Sequence, residues 1–166
     1  PGVLVRCIID PYEPGDIPQM ISIWNTVVEK GEAFPQETCL DEKCGIEFFS
    51  SQTRTAVART ESGIAGLYIL HPNNIGRCGH IANASYAVRS ETRGQGIGEQ
   101  LVLHSMNAAR EFGFRLLQFN AVVAGNIPAL SLYEKLGFIR LGCITGGFRQ
   151  KDGTYVDIIP HYIELV

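Results

Sequence analysis

The apolar positions of this chain follow two spacings, and their order along the sequence predicts one mixed α/β domain. Runs of β-branched and apolar residues predict strands over residues 3–9, 55–60, 64–70, 79–88 and 116–123, and a closing hairpin over residues 138–148 and 154–165. Apolar residues three and four apart predict helices over residues 17–28, 41–51, 97–112 and 126–137. No repeat or linker interrupts this order, so residues 1–166 are predicted to form a single domain.

A glycine-rich segment joins the strand that ends at Val88 to the next helix. Gly94, Gly96 and Gly98 alternate with other residues, so the backbone there can turn tightly and approach a ligand closely. The following helix directs its free N–H groups back at this loop, where they and the helix dipole favour an anion. The segment is therefore a candidate phosphate-binding loop.

Two common phosphate-binding motifs do not fit this loop. A dinucleotide-binding G-x-G-x-x-G would need glycine at Glu99, and a P-loop would need Gly-Lys-Ser/Thr at its end. The spacing that fits is Arg/Gln-x-x-Gly-x-Gly/Ala, which Arg93, Gly96 and Gly98 satisfy. A tight strand-to-helix turn that binds no ligand is the alternative interpretation.

A second segment carries a complete set of helix boundary signals. Asn126 can cap the helix, Pro128 lies in the first turn where its missing N–H costs little, and Gly137 can end the helix in the left-handed conformation. The sequence there is Asn126-x-x-Ala-x-x-Leu-Tyr133-x-x-x-Gly137-Phe. Together with the glycine loop, it resembles the paired signature of the GCN5-related N-acetyltransferase (GNAT) superfamily. The predicted order of strands and helices matches that family over most of the chain.

This resemblance implies a fold and an acetyl donor. The fold is a mixed, largely antiparallel, splayed sheet flanked by helices, and the loop cradles the pyrophosphate of acetyl-CoA. The backbone of Tyr86 and Val88 would pair with the pantetheine arm, with the Tyr86 N–H facing the acetyl oxygen. Asn126 would both cap its helix and bond the pantetheine arm. The residues implied to contact acetyl-CoA are Tyr86, Ala87, Val88, Arg93, Gly94, Gln95, Gly96, Ile97, Gly98, Glu99 and Asn126.

Tyr133 matches the general acid of the family, a phenol that protonates the departing thiolate. A helix tyrosine packed on the core with its hydroxyl at the surface is the alternative interpretation.

The strand before the loop departs from a common family pattern. Many members carry a glutamate there, whereas residues 80–86 offer only Asn83 near that place, and an amide cannot usefully accept a proton. Deprotonation of the acceptor would then pass through water, or the amine would arrive neutral. His80 is the alternative base, although a histidine at the start of a strand is more typical of a structural or surface position.

The amides Asn83, Asn120 and Asn126 resemble those of a branch of fungal acetyltransferases that act on proline analogues such as azetidine-2-carboxylate. Within that branch, Asn83 would hold the substrate and Asn120 would help to orient the acetyl group or the substrate. A buried amide that ties strand backbones together is the alternative for Asn120.

The loop between the first two helices overhangs the acceptor site in the superfamily. It makes Glu32, Phe34 and Glu37 candidate substrate contacts here, and a solvated charged loop is the alternative. The same segment resembles phosphinothricin-type amino-acid acetyltransferases, which keeps small amino acids among the candidate acceptors.

Composition and charge indicate which classes of partner and which cell compartment to expect. The hydrophobic fraction of 45% and charged fraction of 19% are typical of a soluble domain, and a net charge of -3 argues against a nucleic-acid partner. No apolar run reaches the roughly 18 residues of a membrane span, so no membrane partner is expected. The 5 cysteines include no CxxC pair, which predicts reduced thiols in a cytoplasmic protein and no metal site.

The sequence therefore predicts an acetyl-CoA-dependent N-acetyltransferase without a metal. The acceptor would be the amine of a small molecule, such as an amino acid or a proline analogue, attacking directly with Tyr133 as general acid. The resemblance to the family also makes a second copy of this chain a candidate partner, in a homodimer. The alternatives are a non-catalytic module that binds or senses acetyl-CoA, and a protein N-acetyltransferase.

Overall fold

The computed structural model of the chain describes residues 3–166. Within them, an eight-stranded sheet has the order β1-β2-β3-β4-β5-β8-β6, with β7 also paired to β8. The strands are β1 (Ile8–Pro11), β2 (Arg54–Thr60), β3 (Gly63–Pro72), β4 (Ile81–Val88), β5 (Leu116–Val123), β6 (Ile139–Arg140), β7 (Ile144–Arg149) and β8 (Tyr155–Glu164). The helices are α1 (Ile17–Lys30), α2 (Glu42–Ser50), α3 (Ile97–Glu111) and α4 (Ile127–Lys135). The predicted mixed α/β class with a largely antiparallel sheet is confirmed.

The sheet separates two hydrophobic layers. Successive strand residues point to opposite faces, so Leu67 and Ile69 join one layer while Tyr68 and Leu70 join the other. Helices α1 and α2 cover the first layer, and α3 and α4 cover the second. Helices α1 and α2 contribute the buried side chains of Met20, Trp24 and Phe49, and α3 and α4 contribute those of Ile97, Leu101 and Leu130. In the part of the chain that is described, no helix is long and apolar enough to cross a membrane.

Strands β4 and β5 diverge soon after they meet. They are parallel and pair only at Ile81–Leu116 and Ala82–Leu117. Strand β4 continues beside β3 as far as Val88, whereas β5 continues beside β8 with a register shift between Phe119 and Val122. A gap therefore opens between the C-terminal halves of these two neighbouring strands.

The first strand lies later in the chain than the sequence predicts. Residues 3–9 were expected to form it, but β1 begins at Ile8, and the preceding residues lie along the glycine loop. The Val5 N–H donates to the Gln95 carbonyl at 3.0 Å, and Gln100 Nε2 donates to the Val5 carbonyl at 2.8 Å. The backbone groups of Val5 thus form hydrogen bonds with the loop and α3 instead of with β2. The apolar run in the sequence does not show which of these partners the segment pairs with.

The closing hairpin is also more broken than predicted. Residues 138–148 form two strands, β6 and β7, which both pair with β8. Gly142 lies between them with a φ of +111°, a conformation that side-chained residues rarely adopt. The interruption therefore lies where a glycine allows the chain to turn.

An ion-pair cluster holds the edge of the sheet to the turn before α1. Arg59 on β2 donates to the two carboxylate oxygens of Asp16 at 2.8 and 2.6 Å, and to Asp10 at 2.8 Å. The hydrogen bond from Arg59 is the main reason that the pKa of Asp16 lies below its ordinary value. Folding thus favours the charged form of this buried carboxyl group.

We expect the substitution Asp16→Asn to cost about 2 kcal/mol of unfolding free energy at pH 7, because it removes charge-assisted hydrogen bonds. A carboxyl group with a lowered folded pKa contributes stability above its unfolded pKa of about 3.9 and loses it as the pH falls through the folded value. Urea denaturation should therefore show a difference from wild type that shrinks below about pH 4. Asp10→Asn should cost less, since that side chain is 47% exposed. A difference independent of pH would contradict the assignment.

Candidate active site

A cavity of about 200 Å³ occupies the gap between β4 and β5. Its walls come from these two strands, from α4 and from the loop after α1. Six of the residues singled out by the sequence line it together: Phe34, Asn83, Tyr86, Asn120, Asn126 and Tyr133. The fold thus gathers at one place residues that lie far apart in the sequence.

The backbone of β4 has a free edge in this cavity. Arg89 N–H donates to the Ala65 carbonyl and Asn73 N–H to the Ile81 carbonyl, so the odd-numbered residues of β4 direct their backbone groups at β3. The even-numbered residues point the other way, as the bond from Arg115 N–H to the His80 carbonyl shows. Beyond the last pairing with β5, the N–H and carbonyl groups of Ala84, Tyr86 and Val88 therefore face the gap.

Tyr133 reaches the cavity from α4. Its ring packs against Phe119 with centroids 4.6 Å apart and against Phe138 at 5.3 Å, which fixes the direction of the side chain. The fully buried His161 lies edge-on to the ring at 5.6 Å. Burial raises the pKa of Tyr133 to about 12, so the phenol stays protonated at neutral pH.

The hydroxyl of Tyr86 is hydrogen-bonded within the core and is not available to a ligand in the cavity. Its hydroxyl lies 2.7 Å from Ser105 Oγ, and Ser105 donates its own proton to the Val102 carbonyl at 2.7 Å. Tyr86 must therefore be the donor of the first bond. Burial raises the pKa of Tyr86 well above its ordinary value, so what Tyr86 offers the cavity is its backbone.

Three asparagines form a cluster at the point where β4 and β5 diverge. Asn83 Nδ2 donates to Asn73 Oδ1 at 3.0 Å, and Asn120 Nδ2 donates to the same oxygen at 2.6 Å. The sequence singled out Asn83 and Asn120 but missed Asn73. No local signal marks Asn73, because the strand register pairs Asn83 with His71 and the contact with Asn73 is made only in the folded chain.

The glycine loop has the predicted form. Gly94 and Gly96 have φ angles of +77° and +79°, and α3 begins directly afterwards at Ile97. Gly96 is the N-cap, and no side chain in the described residues caps α3, so its first N–H groups point out of the helix without a capping partner. The loop thus presents free N–H donors and the positive end of the helix dipole.

A second cavity of about 300 Å³ connects the glycine loop to the first one. Lys30, Glu32 and Arg93 line it together with Asn126, and the two cavities share Ala33, Val123 and Asn126. Asn126 also caps α4, since its Oδ1 accepts the Ala129 N–H at 3.3 Å. An elongated ligand could therefore place an anionic end at Arg93 and a reactive end near Tyr133.

Several predicted contacts lie elsewhere than expected. Ala87 is fully buried and pairs with Leu67 on β3, so its backbone N–H and carbonyl face β3 and not the gap. The Glu99 carboxylate pairs with Lys135 at 2.8 Å, which leaves only its backbone to the loop. Glu32 lines the cavity beside Arg93 and not the one beside Asn83.

Phe34 lies between the core and the acceptor side. It is 8% exposed and packs at a tilt against Trp24 with ring centroids 4.4 Å apart, yet it also lines the first cavity. It also lines a third cavity of about 540 Å³, between the loop after α1 and the β7–β8 hairpin. There Glu37 forms an ion pair with Arg149, so these charges are already matched within the protein.

The first cavity has no built-in base. Among the described residues that line it, none is a carboxylate or an imidazole, and His80 is not one of them. The polar groups that it does contain are amides, a serine, the Tyr133 phenol and the β4 backbone. These groups can donate hydrogen bonds to a developing oxyanion and a proton to a leaving group, but they cannot take a proton from an ammonium ion.

Comparison with known proteins agrees with this geometry. The sequence model of the Acetyltransferase (GNAT) family matches residues 20–138. The chain is 30% identical over 151 residues to N-acetyltransferase aca1 of Schizosaccharomyces pombe, an alignment that covers 80% of this chain and 72% of that protein.

Solved structures share the fold over nearly the whole chain. A GCN5-related N-acetyltransferase from Kribbella flavida superposes with a TM-score of 0.87 at 28% identity and covers 95% of this chain and 97% of its own. A GNAT superfamily phosphinothricin acetyltransferase from Sinorhizobium meliloti, solved in complex with acetyl-CoA, gives a TM-score of 0.88 at 20% identity, with 96% and 89% covered. At that identity the second likeness is one of fold alone.

The conformation of the glycine loop predicts that alanine substitutions at two of its glycines will affect stability differently. Gly94→Ala should lower the unfolding free energy by about 1 to 2 kcal/mol, because alanine resists a positive φ. An added Cβ at Gly94 would meet no atom within 4 Å, so a clash cannot account for the loss. Gly98→Ala, inside α3 with Val88 Cγ2 at 3.9 Å from the new Cβ, should be neutral or stabilising. Equal losses in urea denaturation would contradict the loop conformation.

Proposed function

The chain belongs to the Acetyltransferase (GNAT) family, and from this premise we propose that it transfers the acetyl group of acetyl-CoA to the amine of a small molecule. The observation that carries the proposal is the free edge of β4, which faces a cavity also lined by a buried, protonated phenol. Bound acetyl-CoA supplies an activated acyl group as a thioester. What remains for the protein is to hold the donor, stabilise the oxyanion and protonate the thiolate.

The glycine loop and the second cavity would hold the anionic part of the donor. The N–H groups at the start of α3 and the cations Arg93 and Lys30 favour phosphate there, because both backbone donors and side-chain charges converge. The side chain of Asn126 and the backbone of Val88 would contact the next part of the donor, between the glycine loop and the gap. The donor would thus extend along β4 as a short extra strand with its thioester in the first cavity.

The Tyr86 N–H is the proposed oxyanion donor. It points into the gap from a strand held rigidly by β3, so it needs no rearrangement as negative charge develops on the acetyl oxygen. Attack by the amine forms the C–N bond, and collapse of the tetrahedral species breaks the C–S bond. The electron pair of that bond leaves on the thiolate sulfur.

Tyr133 is the proposed general acid for that thiolate. A phenol with a pKa of about 12 is protonated at any assay pH near neutrality, and its buried surroundings disfavour a lasting phenolate. It would donate its proton to sulfur and regain one that the acylated amine releases. The T-shaped and tilted contacts with His161 and Phe119 keep the ring directed at the cavity during this exchange.

The nature of the cavity favours acceptors that arrive neutral. With no carboxylate or imidazole lining it, loss of a proton from an ammonium ion would go through water before attack. Small amino acids and proline analogues such as azetidine-2-carboxylate are the acceptors we propose to test first, with Asn83 and Asn120 as their amide contacts.

The same lack of a base favours one rival function. A non-catalytic module that binds acetyl-CoA would need the glycine loop and the β4 edge but no proton acceptor. In such a module Tyr133 would serve only in packing, so substitution of this residue distinguishes the two functions. Tight binding of acetyl-CoA without turnover on any amine would support the rival.

The proposal predicts thiol release from acetyl-CoA when wild-type protein is offered a panel of amino acids, proline analogues and polyamines. Tyr133→Phe should lower kcat by at least about tenfold, because it removes the proton donor while keeping the ring. The dissociation constant of acetyl-CoA, measured by calorimetry, should stay within about twofold. Tyr68→Phe, which removes a buried hydroxyl bonded to His104 away from the cavity, is the matched control. If Tyr133→Phe and the control kept equal kcat, the general-acid role would be rejected.

A further inference from the structure

Asn73 occupies a fixed position beside the cavity without lining it. It follows β3 directly, its N–H donates to the Ile81 carbonyl at 2.7 Å, and its Nδ2 donates to Asn74 Oδ1 at 2.8 Å. Both bonds leave Asn73 Oδ1 facing β4 and β5. This oxygen is the one that receives Asn83 and Asn120.

The two bonds decide which atom each amide presents to the cavity. Asn83 and Asn120 both turn Nδ2 toward Asn73, so their carbonyl oxygens point away from it. Asn120 Oδ1 accepts Gln118 Nε2 at 3.0 Å, whereas Asn83 Oδ1 has no hydrogen-bond partner among residues 3–166. Asn83 lines the cavity, and its Oδ1 is thus free to accept a hydrogen bond.

The strands alone cannot supply this orientation. Asn83 comes one residue after the last pairing of β4 with β5, so no backbone ladder joins it to Asn120. An amide without a fixed partner can rotate and exchange its donor and acceptor ends. The shared oxygen of Asn73 removes that freedom from both amides at once.

We propose that Asn73 is a positioning residue for the acceptor, and that it holds Asn83 Oδ1 ready to accept an N–H of the substrate amine. The inference rests on the proposed acetyl transfer and deepens it. The acceptor amine would donate one N–H to Asn83 Oδ1, and its lone pair would then be directed toward the acetyl carbon.

Steady-state kinetics on the purified protein test this positioning role with four single variants, one double variant and one acceptor from the panel. Asn73→Ala should raise the KM for the acceptor about five- to tenfold, as expected for loss of a hydrogen-bonded orientation, with kcat and acetyl-CoA affinity within about twofold. Asn73→Asp keeps an oxygen that can accept both N–H groups and should restore KM to within about twofold of wild type. Ile75→Ala, in the same turn with a side chain that is 91% exposed, should leave KM unchanged.

The fourth comparison measures coupling. Asn83→Ala removes the amide oxygen that Asn73 positions. Adding Asn73→Ala to this variant should therefore raise the KM for the substrate amine no further. Multiplicative effects in the double variant, an unchanged KM in Asn73→Ala or failure of Asn73→Asp to restore KM would each overturn the inference. If wild type transfers acetyl to no amine, the proposed function is overturned and the inference with it. Wild-type turnover with an unchanged Asn73→Ala overturns the inference alone.

Discussion

The structure depends on the parting of two parallel strands. Strands β4 and β5 share only two paired positions, and beyond Ala82 the backbone of β4 keeps hydrogen-bonding groups that no strand satisfies. Unpaired backbone groups are unfavourable when buried away from water, so a polar cavity and a bound ligand strand are the natural ways to satisfy them. The gap is thus a site because the sheet fails to close there.

Neighbouring elements turn this gap into a place for chemistry. Phe119 on β5 packs edge-on against Tyr86 at 5.7 Å and beside Tyr133 at 4.6 Å, so aromatic rings hold the strands and α4 around the cavity. The N-terminus of α3 provides an anion site at one end, and the asparagine cluster provides amide groups at the other. Donor and acceptor would therefore approach the same β4 edge from different directions.

Much of this arrangement could be predicted from local sequence signals. The glycine loop and the helix bounded by Asn126 and Gly137 are short-range features, and the structure gives both the expected backbone conformation. Long-range pairing could not be predicted in the same way. An apolar run did not reveal that residues 3–7 bond to Gln95 and Gln100, nor that Asn73 receives Asn83 and Asn120, because those partners are set by tertiary contacts.

Hydrogen exchange at the free edge of β4 tests the central claim most directly. On addition of acetyl-CoA, the amide N–H groups of Tyr86 and Val88 should become protected, because they point into the gap where the donor would pair. Those of Ser85 and Ala87 already bond to β3 and should change little. This alternation, read residue by residue by NMR, is the predicted result. Unchanged exchange at Tyr86 and Val88 under saturating acetyl-CoA, or equal protection along the whole strand, would contradict the claim.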